Sequence, residues 1–184
     1  MSVRREEITR LATQAAQRDG LRSVSFRQLA DEIGIKSASV HYHFPTKPDL
    51  AQALVNEYTE NFTERLTEIE RRSESLVEQL DALTEVFDSV IRDQNLCLCG
   101  MLAAELTTLN AETRQALRKF FALLEAWVER AFTRYPQELA LNLPPDQLAR
   151  IFVSGLEGAM LLDRIEDDGE RIAAFRALAR ALIK

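Results

Sequence analysis

Between residues 50 and 69 the large apolar side chains fall at Leu50, Leu54, Tyr58, Phe62, Leu66 and Ile69, in steps of four and three. That spacing puts all six on one side of an α-helix, whereas on a strand most of them would share a face with charged neighbours. No Gly or Pro interrupts the run. The stretch therefore predicts a long one-sided helix, which is stable only when other helices cover its stripe. The same period recurs in Leu76, Leu80, Leu83, Phe87, Val90 and Ile91, and again in Leu117, Phe120, Phe121, Leu124, Trp127, Val128 and Phe132 within residues 111–135. Two further helices are predicted from Leu148, Ile151, Phe152, Gly155, Leu156, Ala159 and Met160, and from Ile172, Phe175, Leu178 and Leu182. A short helix begins at "CLCGMLAAELTTL", after a break at "RDQN". Strand-like alternation is missing throughout, so the expected fold is all-α with about nine helices.

Stop and start signals divide the first fifty residues. Ile8, Leu11, Ala12 and Ala15 form one apolar face, and Gly20 ends that helix. In "SFRQLADEIG", Ser25 is placed to cap, Phe26, Leu29, Ala30 and Ile33 form the stripe, and Gly34 is the stop. A third helix, about 37–44, carries Val40 and Phe44 one turn apart and ends at Pro45. Thr46, with Asp49 three residues on, opens the long fourth helix.

No run of about 18 uncharged apolar residues exists, and the start "MSVRREEITRL" has no apolar core of an export signal. A cytoplasmic protein without membrane contact is expected. The net charge of −6 disfavours nucleic acid at first sight. However, residues 1–50 hold eight Lys/Arg against six Asp/Glu, while the remaining 134 hold 15 against 23. The positive excess lies in the part that contains "SVHYHF".

His41 and His43 are the only histidines. On a helix, residues two apart point about 200° from one another, so the pair cannot close on one metal. No base–nucleophile pairing, metal-ligand spacing or Gly-rich phosphate loop supports an enzyme, and no cofactor is expected. What the neighbourhood does offer is two short helices joined by a tight turn at residues 34–36, the outline of a helix-turn-helix. The second buries Val40 and Phe44 and exposes Ser37, Ala38, Ser39, His41 and Tyr42, small or polar groups suited to a major groove.

Residues 25–50, "SFRQLADEIGIKSASVHYHFPTKPDL", strongly resemble the DNA-binding signature of the TetR (tetracycline-repressor) regulators. The aromatic pair and terminal Phe of the second short helix, followed by Lys47 and Leu50, carry the match. Two positions depart from it. His41 stands where Tyr is usual, and the usual Ser-Lys is inverted as Lys36-Ser37. The resemblance implies a DNA-binding domain of three helices at residues 1–46 and a larger effector-binding and dimerisation domain at 47–184. It implies a homodimer on double-stranded, palindromic operator DNA, with Arg27, Ser37, Ser39, His41, Tyr42, His43 and Lys47 as contacts. It also implies a small-molecule effector. Candidates for the pocket are Phe62, Leu66, Phe87, Ile91, Met101, Phe121, Trp127 and Met160, although residues of this kind are more often plain core than ligand wall. Candidates for the dimer interface are Ile151, Gly155, Ala159, Phe175, Leu178 and Leu182.

Cys97 and Cys99 read either as two small buried apolar residues or as sensor thiols near a positive helix end and Arg92. The expected function is a ligand-responsive transcriptional regulator, most simply a repressor released by a small-molecule or thiol-reactive effector. The alternative is an all-α protein-interaction module that does not bind DNA.

Overall fold

The computed structural model describes residues 3–184, with side chains from Arg4 onward. Among them are nine α-helices, α1 (Val3–Asp19), α2 (Phe26–Ile33), α3 (Ser37–His43), α4 (Lys47–Arg72), α5 (Leu76–Arg92), α6 (Leu98–Ala104), α7 (Ala111–Arg134), α8 (Pro145–Glu166) and α9 (Glu170–Ala181). There is no β-strand among the described residues, only an isolated bridge between Leu139 and Ile183. The all-α expectation holds.

Two compact units emerge, and each takes non-contiguous parts of the chain. The first combines residues up to Glu60 with Leu98–Phe120, and the second combines Asn61–Cys97 with Phe121–Lys184.

In the first unit the local signals act as their chemistry requires. Ser25 Oγ accepts the Gln28 N–H at 3.4 Å and starts α2. Gly34 ends it at φ 73, a left-handed conformation that a β-carbon would disfavour. Thr46 and Asp49 form a reciprocal capping box. Asp49 N–H donates to Thr46 Oγ1 at 3.3 Å, and Thr46 N–H donates to Asp49 Oδ2 at 3.0 Å. Ile8, Ala12, Ala16, Leu29, Val40, Phe44, Leu50 and Leu54 are all buried. The Arg5 guanidinium lies over the Phe44 ring, 4.5 Å from its centroid.

The turn after α1 has a second anchor. Gly20 sits at φ 83, which L side chains rarely adopt, and a β-carbon there would also displace the Glu105 carboxylate. Glu105 Oε2 in turn accepts the Arg22 N–H at 3.2 Å. Lys47 Nζ donates to the Arg22 carbonyl at 3.0 Å. This turn is thus gripped from the end of α6 and from the start of α4.

In the second unit α5 packs Leu76, Leu80, Leu83, Phe87 and Ile91 of its predicted stripe inward and leaves Val90 half-buried, and Phe62 meets Phe87 edge-on at 6.1 Å. α9 is fixed to α5 by arginine–carboxylate pairs. Arg180 chelates Asp81, and Arg176 reaches Glu85 and Asp88. Between α8 and α9, Gly155 allows Phe175 to approach so closely that a β-carbon would sit 2.6 Å from its Cε2. Phe175 also stacks edge-on against Phe152 at 5.0 Å.

Two helix ends differ from the sequence reading. α6 begins at Leu98, so Cys97 precedes the helix and only Cys99 lies within it. The expected continuation of that helix through "ELTTL" is instead a separate 3₁₀ turn, Leu106–Thr108.

Candidate nucleic-acid interface

α3 is seven residues long and held from one side. Val40 and Phe44 are fully inside, whereas Tyr42, two positions from each, is 84% exposed. This opposition follows from the helical period, because residues two apart cannot share a face. Ala38, Ser39 and His41 are also exposed, and Ser37 and His43 are half-buried. No large aliphatic side chain projects from the exposed face, so backbone could approach a groove closely.

His41 is oriented by its surroundings. Its ring packs edge-on to Phe26 at 4.9 Å, and Nδ1 lies 3.4 Å from the Pro45 carbonyl. Tyr42 touches His43 edge-on at 5.3 Å and leaves its hydroxyl outward. Arg27 is exposed on α2 and 3.9 Å from Asp31, a loose surface pair that phosphate could displace. Lys47 is half-buried, and its ammonium is engaged by the Arg22 carbonyl.

Two cations that the spacing of residues does not single out join this surface. Arg4 from α1 and Lys36 before α3 line one shallow depression of about 510 Å³ with Ile35, Ala38, Ser39, Tyr42 and His43. Arg4 is more than thirty residues away in sequence, and no local pattern announces it. Lys36 enters the sequence reading only through the inverted Lys36-Ser37 pair, not as a DNA contact. Together they give this face the positive character that phosphate backbones require.

The two histidines share no metal environment. No group of three or more His, Cys, Asp or Glu side chains that could hold a metal occurs among the described residues.

The candidate residues in the other unit divide by environment. Phe62, Leu66, Phe87, Ile91, Trp127 and Met160 are buried, and Phe121 is half-buried. Met101 belongs to the first unit and is half-buried there. Of the interface candidates, Ile151 and Leu178 are exposed, while Gly155, Ala159, Phe175 and Leu182 are half-buried.

Cys97 and Cys99 are both buried and are not joined in a disulfide. Arg92, expected beside them, is instead paired with Glu85 and Asp88. The partner of the Cys97 thiol is Glu157, which accepts its hydrogen bond. The Cys97 N–H meets the Met160 sulfur at 3.1 Å. Burial pushes the Glu157 carboxyl up to about 7, and the thiol hydrogen bond offsets part of that rise. Glu157 Oε1 is closed off from solvent and has no hydrogen-bond partner.

A stability consequence follows. In the unfolded chain the carboxyl ionises near 4.5. The folded state therefore bears no penalty below that value, an increasing one between 4.5 and about 7, and the full one above. The maximum is about 3 kcal/mol. A Glu157→Gln variant, melted at a series of pH values from about 5 to 8, should lose less stability on going alkaline than the parent. Parallel curves would show that Glu157 ionises in the fold without cost.

Comparison with known proteins assigns the chain to a family. The model for bacterial regulatory proteins of the tetR family matches residues 8–54, and that for the tetracyclin repressor-like C-terminal domain matches residues 76–179. The chain belongs to the TetR family of transcriptional regulators. The transcriptional regulator AcuR of Cereibacter sphaeroides is 26% identical over 175 residues, spanning 90% of this chain and 78% of AcuR. A TetR regulator from Legionella pneumophila, known from its crystal structure, is 30% identical, with a TM-score of 0.89 over 100% of this chain and 99% of that one. A TetR-family regulator from Agrobacterium tumefaciens is 28% identical, with a TM-score of 0.93 and 98% of each chain covered. No helix among the described residues is long and apolar enough to cross a membrane.

Proposed function

We propose that the protein is a ligand-responsive repressor that binds a palindromic operator as a homodimer and leaves it when a small molecule binds the C-terminal domain. The observation that carries the DNA-binding part is the two-sidedness of α3. Val40 and Phe44 anchor it, and Tyr42 stands 84% exposed beside His41 and Ser39. Arg4, Arg27, Lys36 and Ser37 supply phosphate-directed groups around it, with His43 and Lys47 at its edge.

The dimer reading rests on α8. Ile151, Gly158, Leu162 and Ile165 recur on one stripe, with Leu161 beside it, and this stripe is distinct from the buried face of Leu148, Phe152, Leu156 and Met160. Ile165 is 70% exposed and Ile151 62%. A β-carbon on Gly158 would meet nothing within 4 Å, so the stripe has an open groove where a partner helix can approach. Leu178 on α9 extends the same apolar character. Two such helices from each chain would form a four-helix bundle about a two-fold axis.

The two recognition helices would then enter successive major grooves, about 34–36 Å apart. An effector that binds better to a form with another spacing would lower operator affinity, by selection between two states. The burial of both cysteines favours a non-covalent effector over a thiol reagent.

Fluorescence anisotropy on DNA flanking the protein's own gene, against nonspecific competitor, tests this reading. Sequence-selective binding that weakens steeply with salt is expected. If neither that DNA nor a random-sequence selection yields a preferred site, α3 does not read DNA and the protein-interaction alternative takes over.

A further inference from the structure

The C-terminal part of α7 faces a cleft of about 300 Å³ that also takes in Glu70 at the end of α4 and Gln79 near the start of α5. Its remaining walls are Trp127, Arg130, Ala131, Thr133 and Arg134. Gln79 is the anomaly. It interrupts the inward stripe of Leu76, Leu80 and Leu83 with an amide, is only 2% exposed, and its Nε2 has no hydrogen-bond partner. A buried donor without an acceptor is costly to keep, and an apolar side chain of similar length would fill the stripe without that cost.

The charges around the amide point one way. Neither Arg130 nor Arg134 has a carboxylate within ion-pair distance among the described residues, although every arginine of α5 and α9 does. Arg134 lies only against the Tyr135 ring, 5.5 Å from its centroid. With Glu70 the cleft carries one net positive charge, in a chain whose total is −6. Buried Trp127 and Ala131 supply an apolar wall.

We propose that this cleft binds a small organic carboxylate, its acid group held by the Gln79 amide and the two guanidiniums and its body against Trp127. Planar guanidiniums match carboxylates by paired N–H···O bonds, and a neutral amide donor completes the set without adding charge. The volume lies at the lower end of small-molecule sites, which suits a compact acid. This binding is separate from the release of DNA proposed above.

Trp127 is the sole tryptophan of the chain, so its emission reports occupancy in the full-length protein. Benzoate and hexanoate are the probes, with benzyl alcohol and benzylamine as neutral and cationic counterparts. A saturable change in emission with at least one acid below about 10 mM is expected, with little or none from the counterparts. The exposed pair Arg130→Ala and Arg134→Ala, which leaves the core intact, should weaken it roughly ten-fold or more. Gln79→Leu should weaken it independently. Equal binding of benzyl alcohol, undiminished binding in the double arginine variant, or no saturable signal from either acid overturns the proposal. Operator anisotropy run on the same samples separates the two readings. Carboxylate binding that leaves operator affinity unchanged supports the site and removes these acids as effectors. Intact operator binding without any carboxylate signal removes the site alone.

Discussion

Tyr42→Ala is expected to raise the operator dissociation constant roughly 10- to 100-fold, the equivalent of one good base or phosphate contact of about 1–3 kcal/mol. The same substitution should leave the melting temperature nearly unchanged. Tyr42 is 84% exposed, and its one ring contact is the edge of His43. Surface positions of this kind alter stability by about 0.5 kcal/mol or less. His41→Ala makes the instructive partner, because His41 also packs on Phe26 and lies by the Pro45 carbonyl. It should lose both affinity and some stability. Arg27→Ala, which removes a charge whose present partner is a 3.9 Å surface pair, should weaken specific and nonspecific DNA alike and lower the salt slope by about one. Anisotropy titrations at two salt concentrations, with circular-dichroism melts on the same preparations, separate these effects. Affinities within a factor of about two of the parent for both Tyr42→Ala and His41→Ala would mean that α3 does not dock by this face.

Much of the candidate DNA-reading surface is legible in the amino-acid sequence, because its signals are local. Ser25 and Gly34 bound α2, the Thr46–Asp49 box opens α4, and two apolar residues one turn apart decide which side of α3 is hidden. Sequence patterns are silent where the chemistry depends on distant parts of the chain. Arg4 reaches the α3 surface from another helix. Lys47 reads as a free cation in sequence but holds the Arg22 carbonyl. Arg92 stands close to the cysteines in sequence, yet an i, i+4 carboxylate and Glu85 claim it, as helix spacing alone would suggest.

Buried polar groups are the least visible class. Gln79, Glu157 and Asp163 each sit on an amphipathic helix near the edge of an apolar stripe, where periodicity cannot say whether a polar side chain turns out to water or stays inside. Non-glycine residues in left-handed conformations are equally hidden. Gln94 at φ 58 and Asp167 at φ 55 take up the turns after α5 and α8. The sequence breaks "RDQN" and "EDDGE" mark the places without naming the residues. Those two side chains also hydrogen-bond to one another, Gln94 Nε2 to Asp167 Oδ1 at 2.8 Å, which joins the two turns.

Asp163→Ala should produce a large loss of stability in the second unit. Asp163 is fully buried in α8, yet it serves α9. Its Oδ1 and Oδ2 accept the N–H groups of Arg171 and Ile172 at 2.9 and 2.8 Å. The Arg171 guanidinium approaches Oδ1 at 3.8 Å. Gly169, at the N-cap position of α9, has no side chain with which to cap it. A carboxylate from the preceding helix thus occupies the position that a Ser or Asp cap would fill, where the helix dipole also favours negative charge. Removing it leaves two helix-end donors unpaired, one of them buried, and opens a cavity at the α8–α9 corner. Charge-assisted bonds and orphaned donors of this kind together amount to about 3–5 kcal/mol, or a fall of roughly 10 °C in a chain of this size. Asp163→Asn keeps the shape and one acceptor, so it should lose about half as much. That ordering, Ala worse than Asn and Asn worse than Asp, is the signature of capping as opposed to mere packing. Because α9 carries Leu178 and follows the exposed stripe of α8, the Ala variant should also weaken the proposed dimer, read as a shift toward monomer in sedimentation. A melt within about 2 °C of the parent would show that α9 holds its place by its pairs with Asp81, Glu85 and Asp88 alone.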